Sequence, residues 1–258
     1  MDNRILVTSI LYHAEGNYSA SSRIESLAAI LQAVEESSHA PDVLIFPAGF
    51  LKFRDEKEKK DLISRVQGMI KIDTCVCLGI DSYDGRHQLG ILLSKKGIKA
   101  MGRKYFPTDW DTKAGMIKAT DYLAREEGYE RVFTLKTKRI YIAVCNDIKG
   151  ITALNLEQPQ PRVDVVVDLI HGFNKKGGGS SPSYFARTMA NSAQKWQCSV
   201  IGSAAFFDRD IPSNWPAGIK PKSYQKDMRK WNYENNLLEP LTNNSTKLAS
   251  LELKTYKL

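Results

Sequence analysis

Apolar runs of strand length alternate along this chain with segments of helical periodicity. Runs rich in β-branched residues predict buried strands, and these runs are RILVTSILY, DVLIF, TCVCLGID, HQLGILLSKKG, RIYIAV, PRVDVVVDLI and CSVIGSAAFF. Apolar residues three and four positions apart predict helices in SASSRIESLAAILQAVEESS, DEKEKKDLISRVQGMIK and YFARTMANSAQKWQ. Strands that are apolar on both faces and flanked by helices indicate an α/β fold in which helices cover the sheets.

The pattern is weaker in three places. Residues 107–130 have mixed polarity, and a short helix is predicted around ATDYLAREEG, ending at Gly128. The stretch HGFNKKGGGSSPS predicts a glycine-rich loop between a buried strand and a helix, and the final KLASLELKTYKL predicts an edge strand or arm. No change in composition marks a linker, so residues 1–258 are predicted to form one domain.

Composition narrows the class of protein. With 258 residues, of which 42% are hydrophobic and 26% charged, the chain is long and apolar enough for a sizeable globular core. No apolar run has the length of a membrane span, and the first residues lack a signal-peptide pattern, so a cytoplasmic location is expected. The four cysteines match no zinc-site spacing and the four histidines are scattered, so no disulfide, metal or other cofactor is expected.

The net charge of +8 raises the question of a nucleic-acid partner. The basic residues, however, are dispersed among acidic ones, as in FRDEKEKKDLISR, which is typical of a solvated helix face. The sequence contains no recognition-helix motif and no set of stacking aromatic residues. This charge pattern argues against specific nucleic-acid binding and leaves an anionic small-molecule partner open.

Two residues that follow strand patterns are candidates for chemistry. Cys145 comes directly after IYIAV, where a buried strand emerges, so its thiol can face a pocket while the next backbone N–H groups bind an oxyanion. Lys104, in GRKYF, also follows a strand, and an ammonium beside a thiol favours the thiolate. Taken singly, a buried strand cysteine and a solvated lysine are the simpler interpretations of these two residues.

The order of the motifs changes that interpretation. The segments VLIFPA, GRKYF and YIAVCND occur in sequence, and the chain resembles the carbon–nitrogen hydrolase (nitrilase) superfamily in their order and spacing. The helix ARTMANSAQKWQ and the strand after it also resemble that family. The resemblance implies a four-layer α-β-β-α sandwich that forms homo-oligomers. It further implies hydrolysis of non-peptide C–N bonds in small amides or carbamoyl compounds, without a cofactor.

Carried over position by position, the resemblance assigns functions to particular residues. Cys145 would be the nucleophile that forms a thioester, and Lys104 would bind the oxyanion together with the backbone N–H of Asn146. The loop after the strand PRVDVVVDLI lines the substrate pocket in this family. Its implied substrate contacts here are His171, Phe173 and Asn174.

One position departs from the family pattern. A glutamate is expected as general base at residue 48, where this chain has Ala48, and a methyl group cannot accept a proton. Three explanations stay open: a natural or engineered Glu-to-Ala change, a substitute acid such as Asp111 or Asp109, and an inactive protein that binds a small molecule on the same fold. Loss of general-base assistance alone reduces a rate by roughly 10²- to 10⁴-fold.

Overall fold

The computed structural model describes residues 4–14, 20–36, 40–154, 156, 162–174, 181–211, 215, 218–219, 242–245 and 251–258. Its strands are β1 (Leu6–Ala14), β2 (Val43–Ile45), β3 (Leu51–Phe53), β4 (Cys75–Ser82), β5 (Gln88–Ser94), β6 (Gly97–Arg103), β7 (Val132–Leu135), β8 (Lys138–Val144), β9 (Val165–Leu169), β10 (Phe173–Asn174), β11 (Ser199–Phe207), β12 (Gly218–Ile219), β13 (Thr242–Ser245) and β14 (Leu251–Lys257). Its helices are α1 (Ala20–Glu35), α2 (Glu56–Met69), α3 (Asp109–Lys113), α4 (Asp147–Ala153) and α5 (Pro182–Trp196). Among the described residues, no helix combines the length and apolar character that a membrane span requires.

The strands pair in the order β6-β5-β4-β2-β1-β11-β9-β8-β7. The strands β4, β2, β1, β11, β9 and β8 run parallel to their neighbours in this order, and β5 is antiparallel to both β4 and β6. The strands β2, β4, β6, β8 and β9 therefore all point the same way. Their carboxyl ends meet at one edge of the sheet, which is where parallel α/β sheets place their binding sites.

The strand order folds back so that its two halves face each other. A Cβ atom built on Gly90 of β5 would lie 2.6 Å from the side chain of Ile142 in β8 and 2.9 Å from that of Leu169 in β9. Apolar side chains alternate between faces, as on β2, where Val43 and Ile45 join the core between the halves while Leu44 packs in the cluster that contains the apolar residues of α1 and α2.

Helices complete the outer layers. The apolar face of α1 and residues of α2 pack on the outside of one half, and α4 and α5 pack on the outside of the other. The predicted four-layer α-β-β-α sandwich is therefore confirmed. That residues 1–258 form one domain stays a prediction.

Two sequence-based assignments need correction. The predicted helix around residues 119–128 is absent: this segment forms turns and an isolated bridge between Glu126 and Tyr129, and the helix lies earlier, in α3. A capping box starts α3: the Thr108 side chain accepts from the Asp111 N–H and the Asp111 side chain accepts from the Thr108 N–H. The C-terminal strand β14 is not at an edge, because it pairs with both β1 and β13.

Candidate active site

Cys145 sits on a sharp turn between β8 and α4. Its backbone has a φ of 54°, a left-handed conformation that a non-glycine residue adopts at a cost of roughly 1–3 kcal/mol. Its N–H donates to the Leu169 carbonyl at 2.7 Å, and its own carbonyl accepts from the Ile148 N–H in α4 at 3.3 Å. The side chain is partly exposed, so the turn presents the thiol at the edge where the parallel strands end.

Lys104 follows β6 and its side chain is buried. Its ammonium donates to Asp111 Oδ2 at 2.7 Å and to Gln88 Oε1 at 3.0 Å. Burial lowers the pKa of Lys104, but the negative charges of Cys145 and Asp111 outweigh burial and raise the pKa above its ordinary value. Lys104 is therefore a permanent cation within electrostatic range of the thiol.

Asp111 is held by several donors at once. Besides the Lys104 ammonium, it accepts the Thr108 N–H at 2.6 Å, the Thr108 hydroxyl at 2.7 Å and the Gln88 side-chain amide at 2.7 Å. Burial raises the pKa of Asp111, but the Lys104 charge and these hydrogen bonds outweigh burial and lower it to about 2. A carboxylate with so low a pKa is a weak base, so Asp111 is better suited to hold Lys104 than to serve as the substitute general base. The other candidate acid, Asp109 at the start of α3, is exposed.

Asp147 connects the turn that carries Cys145 to the segment that follows Lys104. Its Oδ1 accepts the backbone N–H groups of Tyr105 and Phe106, both at 2.9 Å, and its Oδ2 accepts that of Val144 at 3.1 Å. Its Oδ2 also pairs with the guanidinium of Arg131, and both side chains are fully buried. One carboxylate therefore fixes the chain before Cys145 and the chain after Lys104.

Arg131 is enclosed on all sides. Its Nε donates to the Ile142 carbonyl at 2.6 Å, and its guanidinium lies 5.3 Å and 4.9 Å from the ring centres of Tyr105 and Tyr141. A Cβ atom on Gly102 would lie 2.8 Å from Arg131 Nε, so the position next to the arginine leaves no space for a side chain. Hydrogen bonds and aromatic faces thus compensate most of the buried pair of Arg131 and Asp147, while Arg131 Nη1 has no hydrogen-bond partner among the described residues.

His171 pairs with a carboxylate from a distant part of the chain. Its Nε2 lies 2.8 Å from Oδ2 of Asp81, which is buried near the end of β4. The imidazole is also close enough to the thiol of Cys145 for the two groups to shift each other's pKa. Burial lowers the pKa of His171, but Asp81 and Cys145 outweigh burial and raise it to about 10, so the ring is an imidazolium at neutral pH.

The four thiols of the chain are free but differ in acidity. Burial raises the pKa of Cys145, yet the charges of Lys104 and His171 and the hydrogen bond with His171 outweigh burial and lower the pKa below its ordinary value. Burial raises the pKa values of the other three thiols, Cys75, Cys77 and Cys198. Cys145 is therefore the thiol that is most readily ionised.

A cleft opens beside this group and encloses about 620 Å³, part of it continuous with solvent. It is lined by Tyr12, Arg23, Pro47, Ala48, Gly49, Phe50, Lys52, Asp81, His171, Ala205 and Phe207. His171 thus borders the cleft and contacts the thiol. Within the described ranges, no group of three His, Cys, Asp or Glu side chains is arranged to hold a metal ion.

The structure distributes the predicted site residues unevenly. Cys145, Lys104 and His171 come together, and Asn146, directly after the thiol, is the N-cap residue of α4. Phe173 instead packs in the core against Phe185, Phe206 and Trp215, and Asn174 is exposed. Of the predicted site residues, Ala48 and His171 line the cleft, whereas its lining does not include Cys145, Lys104, Asn146, Asp111, Phe173 or Asn174. Residues 175–180 of the glycine-rich loop lie outside the described residues.

Asp168 is a further acid close to the thiol. It lies in β9, fully buried, and neither carboxyl oxygen has a hydrogen-bond partner within the part of the chain that the structure describes. Burial raises its pKa well above the ordinary value, and the negative charges of Cys145 and Asp147 raise it further, although Lys104 and His171 lower it. Asp168 is therefore a neutral acid.

Comparisons with known proteins bear on the fold. No protein-family profile and no curated protein sequence matches the chain. A glutamine-dependent NAD(+) synthetase from Cytophaga hutchinsonii matches with a TM-score of 0.64 and 12% identity over 99% of this chain, which spans only 43% of that protein. Nit3 of Saccharomyces cerevisiae, in the nitrilase superfamily, has a TM-score of 0.64 and 10% identity over 99% of this chain and 90% of its own.

A CN-hydrolase superfamily protein from Xanthomonas campestris is similar too, with a TM-score of 0.61 and 9% identity over 99% of this chain and 90% of its own. That protein carries an arsenic adduct in its active site. At these identities the likeness establishes the fold alone. The chain has the nitrilase-superfamily fold, as the motif order predicts.

The first prediction concerns Asp147. Replacing it by alanine leaves Arg131 buried without its counter-charge, so we expect Asp147→Ala to lower the free energy of unfolding by about 3–5 kcal/mol. Urea denaturation followed by circular dichroism measures this change. The control is Asp109→Ala, which removes an exposed carboxylate and should cost less than about 1 kcal/mol. Equal effects of the two substitutions would show that Asp147 does not hold the site together.

The second prediction concerns Asp168 and pH. Because its pKa is raised in the folded state, wild-type stability falls as pH rises from the unfolded pKa of about 3.9 towards the folded pKa. Asp168→Asn removes this dependence, so its advantage in unfolding free energy over wild type should grow between pH 4 and pH 8. The slope has a ceiling of about 1.4 kcal/mol per pH unit. The control is Asp61→Asn, at an exposed position, for which the difference in unfolding free energy from wild type should not change with pH. The same pH-independent difference for Asp168→Asn would contradict the raised pKa of Asp168.

Proposed function

We propose that this chain, which has the nitrilase-superfamily fold, is a thiol-dependent hydrolase of non-peptide C–N bonds in small amides or carbamoyl compounds. The observation that carries the proposal is the thiol of Cys145, which stands on a left-handed turn and has its pKa lowered by two cations, Lys104 and His171, the second of which lines a cleft. The structural neighbours include a carbon–nitrogen hydrolase from Helicobacter pylori, with a TM-score of 0.62 and 10% identity over 98% of this chain and 89% of its own.

The geometry suits acyl transfer to sulfur. The thiolate of Cys145 attacks the carbonyl carbon of the substrate, and the oxygen of that carbonyl becomes an oxyanion. Lys104 and the backbone N–H of Asn146 stabilise the oxyanion, and the C–N bond of the tetrahedral intermediate breaks as the departing nitrogen takes up a proton, which leaves a thioester and a free amine. Water then hydrolyses the thioester to the carboxylic acid and regenerates the thiolate. A protein that only binds its ligand has no need for a lowered thiol pKa, which favours the enzyme over the inactive binder.

We further propose a homo-oligomer, which the family resemblance implies, and a cytoplasmic location, which the composition favours. Neither is needed for the chemistry of Cys145, since the thiol, the lysine and the histidine come from one chain.

The third prediction tests the ionised thiol. We expect iodoacetamide at pH 7 to modify Cys145 well before the other three cysteines, as peptide mass spectrometry measures. Lys104→Met removes a neighbouring cation and should slow modification by about tenfold, the effect of one unit in the thiol pKa. Lys118→Met removes an exposed lysine and is the control with an unchanged rate. Slow modification of Cys145 in the wild type, or no effect of Lys104→Met, would count against the proposal.

The fourth prediction tests the reaction. We expect the purified protein to release ammonia from members of a panel of small aliphatic amides and carbamoyl compounds, measured by a coupled assay. Cys145→Ala should abolish this release because no thioester can form. The same preparation of Cys145→Ala must keep the wild-type circular dichroism spectrum. Turnover that survives Cys145→Ala would exclude Cys145 as nucleophile, and no turnover across the panel together with an unreactive thiol would reject the proposed function.

A further inference from the structure

The geometry points to a relay of Asp81, His171 and Cys145 in which His171 performs the proton transfers that the family resemblance assigns to a glutamate at residue 48. This inference rests on the proposed function and adds its general acid and base. His171 then acts on the reacting atoms, whereas Asp81 is a positioning residue that acts through the imidazole.

The contacts of His171 fit this assignment. Its Nε2 lies 2.8 Å from Oδ2 of Asp81, and the side chain and backbone N–H of His171 are close enough to Cys145 to lower the pKa of the thiol. We assign the interaction with the thiol to Nδ1, because Nδ1 is the ring nitrogen that Asp81 leaves free. Under this assignment carboxylate, imidazole and thiol form a continuous chain, the arrangement that activates cysteine nucleophiles in unrelated folds.

Asp81 and His171 lie next to residue 48. Gly79 and Asp81 lie two apart on β4 and so face the same side of the strand. A Cβ atom on Gly79 would lie 2.2 Å from Ala48 Cα, and one on Gly49 would lie 2.7 Å from Asp81 Oδ2 and 3.2 Å from His171 Cδ2. Asp81 and His171 therefore stand directly beside the position from which a carboxylate is missing.

Gly49 permits this approach. Its φ of 58° is in the left-handed region, and any side chain there would overlap the Asp81 carboxylate. The Arg23 guanidinium donates to the carbonyls of Gly49 and Phe50 at 2.6 and 3.1 Å, which fixes the segment after β2. The backbone is thus shaped to bring the pair next to Ala48.

The proton transfers balance. The resting state holds a thiolate on Cys145 and an imidazolium on His171. After the thiolate attacks the amide carbon, the imidazolium gives its proton to the departing amine, and the C–N bond breaks to leave a thioester. The neutral imidazole then takes a proton from water, whose oxygen attacks the thioester. Collapse breaks the C–S bond, releases the carboxylic acid and restores both the thiolate and the imidazolium.

Several other charged groups surround the thiol and the imidazole and contribute to any pH profile. Lys104 after β6 is a second cation, Asp168 on β9 is a neutral acid, and Asp147 at the start of α4 is neutralised by Arg131. Of the carboxylates, Asp81 is the one that touches His171 directly. Substitution of Asp81 therefore reports on the imidazole more directly than substitution of the other groups.

The test separates acylation from deacylation by using p-nitrophenyl acetate, whose leaving group needs no proton. Wild type should show a burst of p-nitrophenolate and then steady turnover. His171→Ala should keep the amplitude of the burst but reach it more slowly, because the thiol loses a neighbouring cation, while its deacylation rate falls by about 10²- to 10⁴-fold, so that acetylated Cys145 accumulates in intact-protein mass spectra. Added imidazole should restore deacylation of His171→Ala, because a missing base can be replaced from solution. Asp61→Asn, on the exposed face of α2, is the control.

The pH profile of deacylation tests Asp81. Neutral imidazole is the base, so the rate rises with pH through the pKa of His171 in the acetyl-enzyme. Asp81 raises that pKa, and Asp81→Asn should therefore shift the profile to lower pH and reduce its plateau by about 10- to 100-fold, as for groups that orient a ligating histidine. A contact that serves only to stabilise the fold would not shift this profile. If His171→Ala does not fold, Asp81→Asn alone decides the outcome.

The failures are distinguishable. If wild type forms no acetyl-enzyme at Cys145, the proposed function is wrong and the relay falls with it. If wild type is acetylated and turns over while His171→Ala deacylates at the wild-type rate, the relay is wrong and the thiol hydrolase stands. Loss of deacylation without imidazole rescue and without a pH shift in Asp81→Asn would also overturn the relay.

Discussion

The buried contact between Arg131 and Asp147 sets the geometry on which the candidate site depends. Asp147 accepts backbone N–H groups from both sides of the site, before Cys145 and after Lys104, and Arg131 neutralises its charge. A carboxylate without that cation would be too costly to bury at this point of the sandwich. The left-handed turn at Cys145 is strained, and strain of this kind persists only where surrounding contacts determine it. The ion pair supplies those contacts.

Electrostatics then distinguishes one thiol from the others. The remaining three cysteines occupy apolar surroundings, and burial keeps them protonated. Cys145 is also close to carboxyl groups. Asp147 is paired with Arg131 and Asp81 with His171, and the raised pKa of Asp168 favours its protonated form. Lys104 and His171 are themselves paired with Asp111 and Asp81, yet their combined effect at the sulfur still outweighs burial and lowers the pKa of the thiol. The lowered pKa of Cys145 therefore depends on the charged groups around the sulfur and on their ion pairs.

The sequence predicts the main strands and the position of Cys145 at a strand end, because alternation, β-branched runs and strand ends are local features. The helix after Lys104 is predicted at residues 119–128 from their periodic pattern. The structure instead has α3, which begins at the local cap of Thr108 and Asp111. The sequence also offers Asp111 as a spare acid, although Asp111 is saturated by donors that include a glutamine 23 residues away in sequence. The pair of Asp81 and His171 spans 90 residues and arises only from parallel strands ending at one edge. No local pattern carries that information.

Ala48 takes on a different meaning once Asp81 and His171 are placed beside it. A glutamate at residue 48 would be a second carboxylate next to Asp81, and two like charges at a shared site raise the pKa of one of them. It would also compete with the thiolate for the imidazolium, weakening the charge that acidifies Cys145. Under the proposed relay, a small neutral residue at 48 is therefore what the imidazole requires, and the missing glutamate does not by itself indicate a lost activity. A carboxylate at residue 48 and the pair of Asp81 and His171 therefore oppose each other electrostatically, and Ala48 removes that conflict.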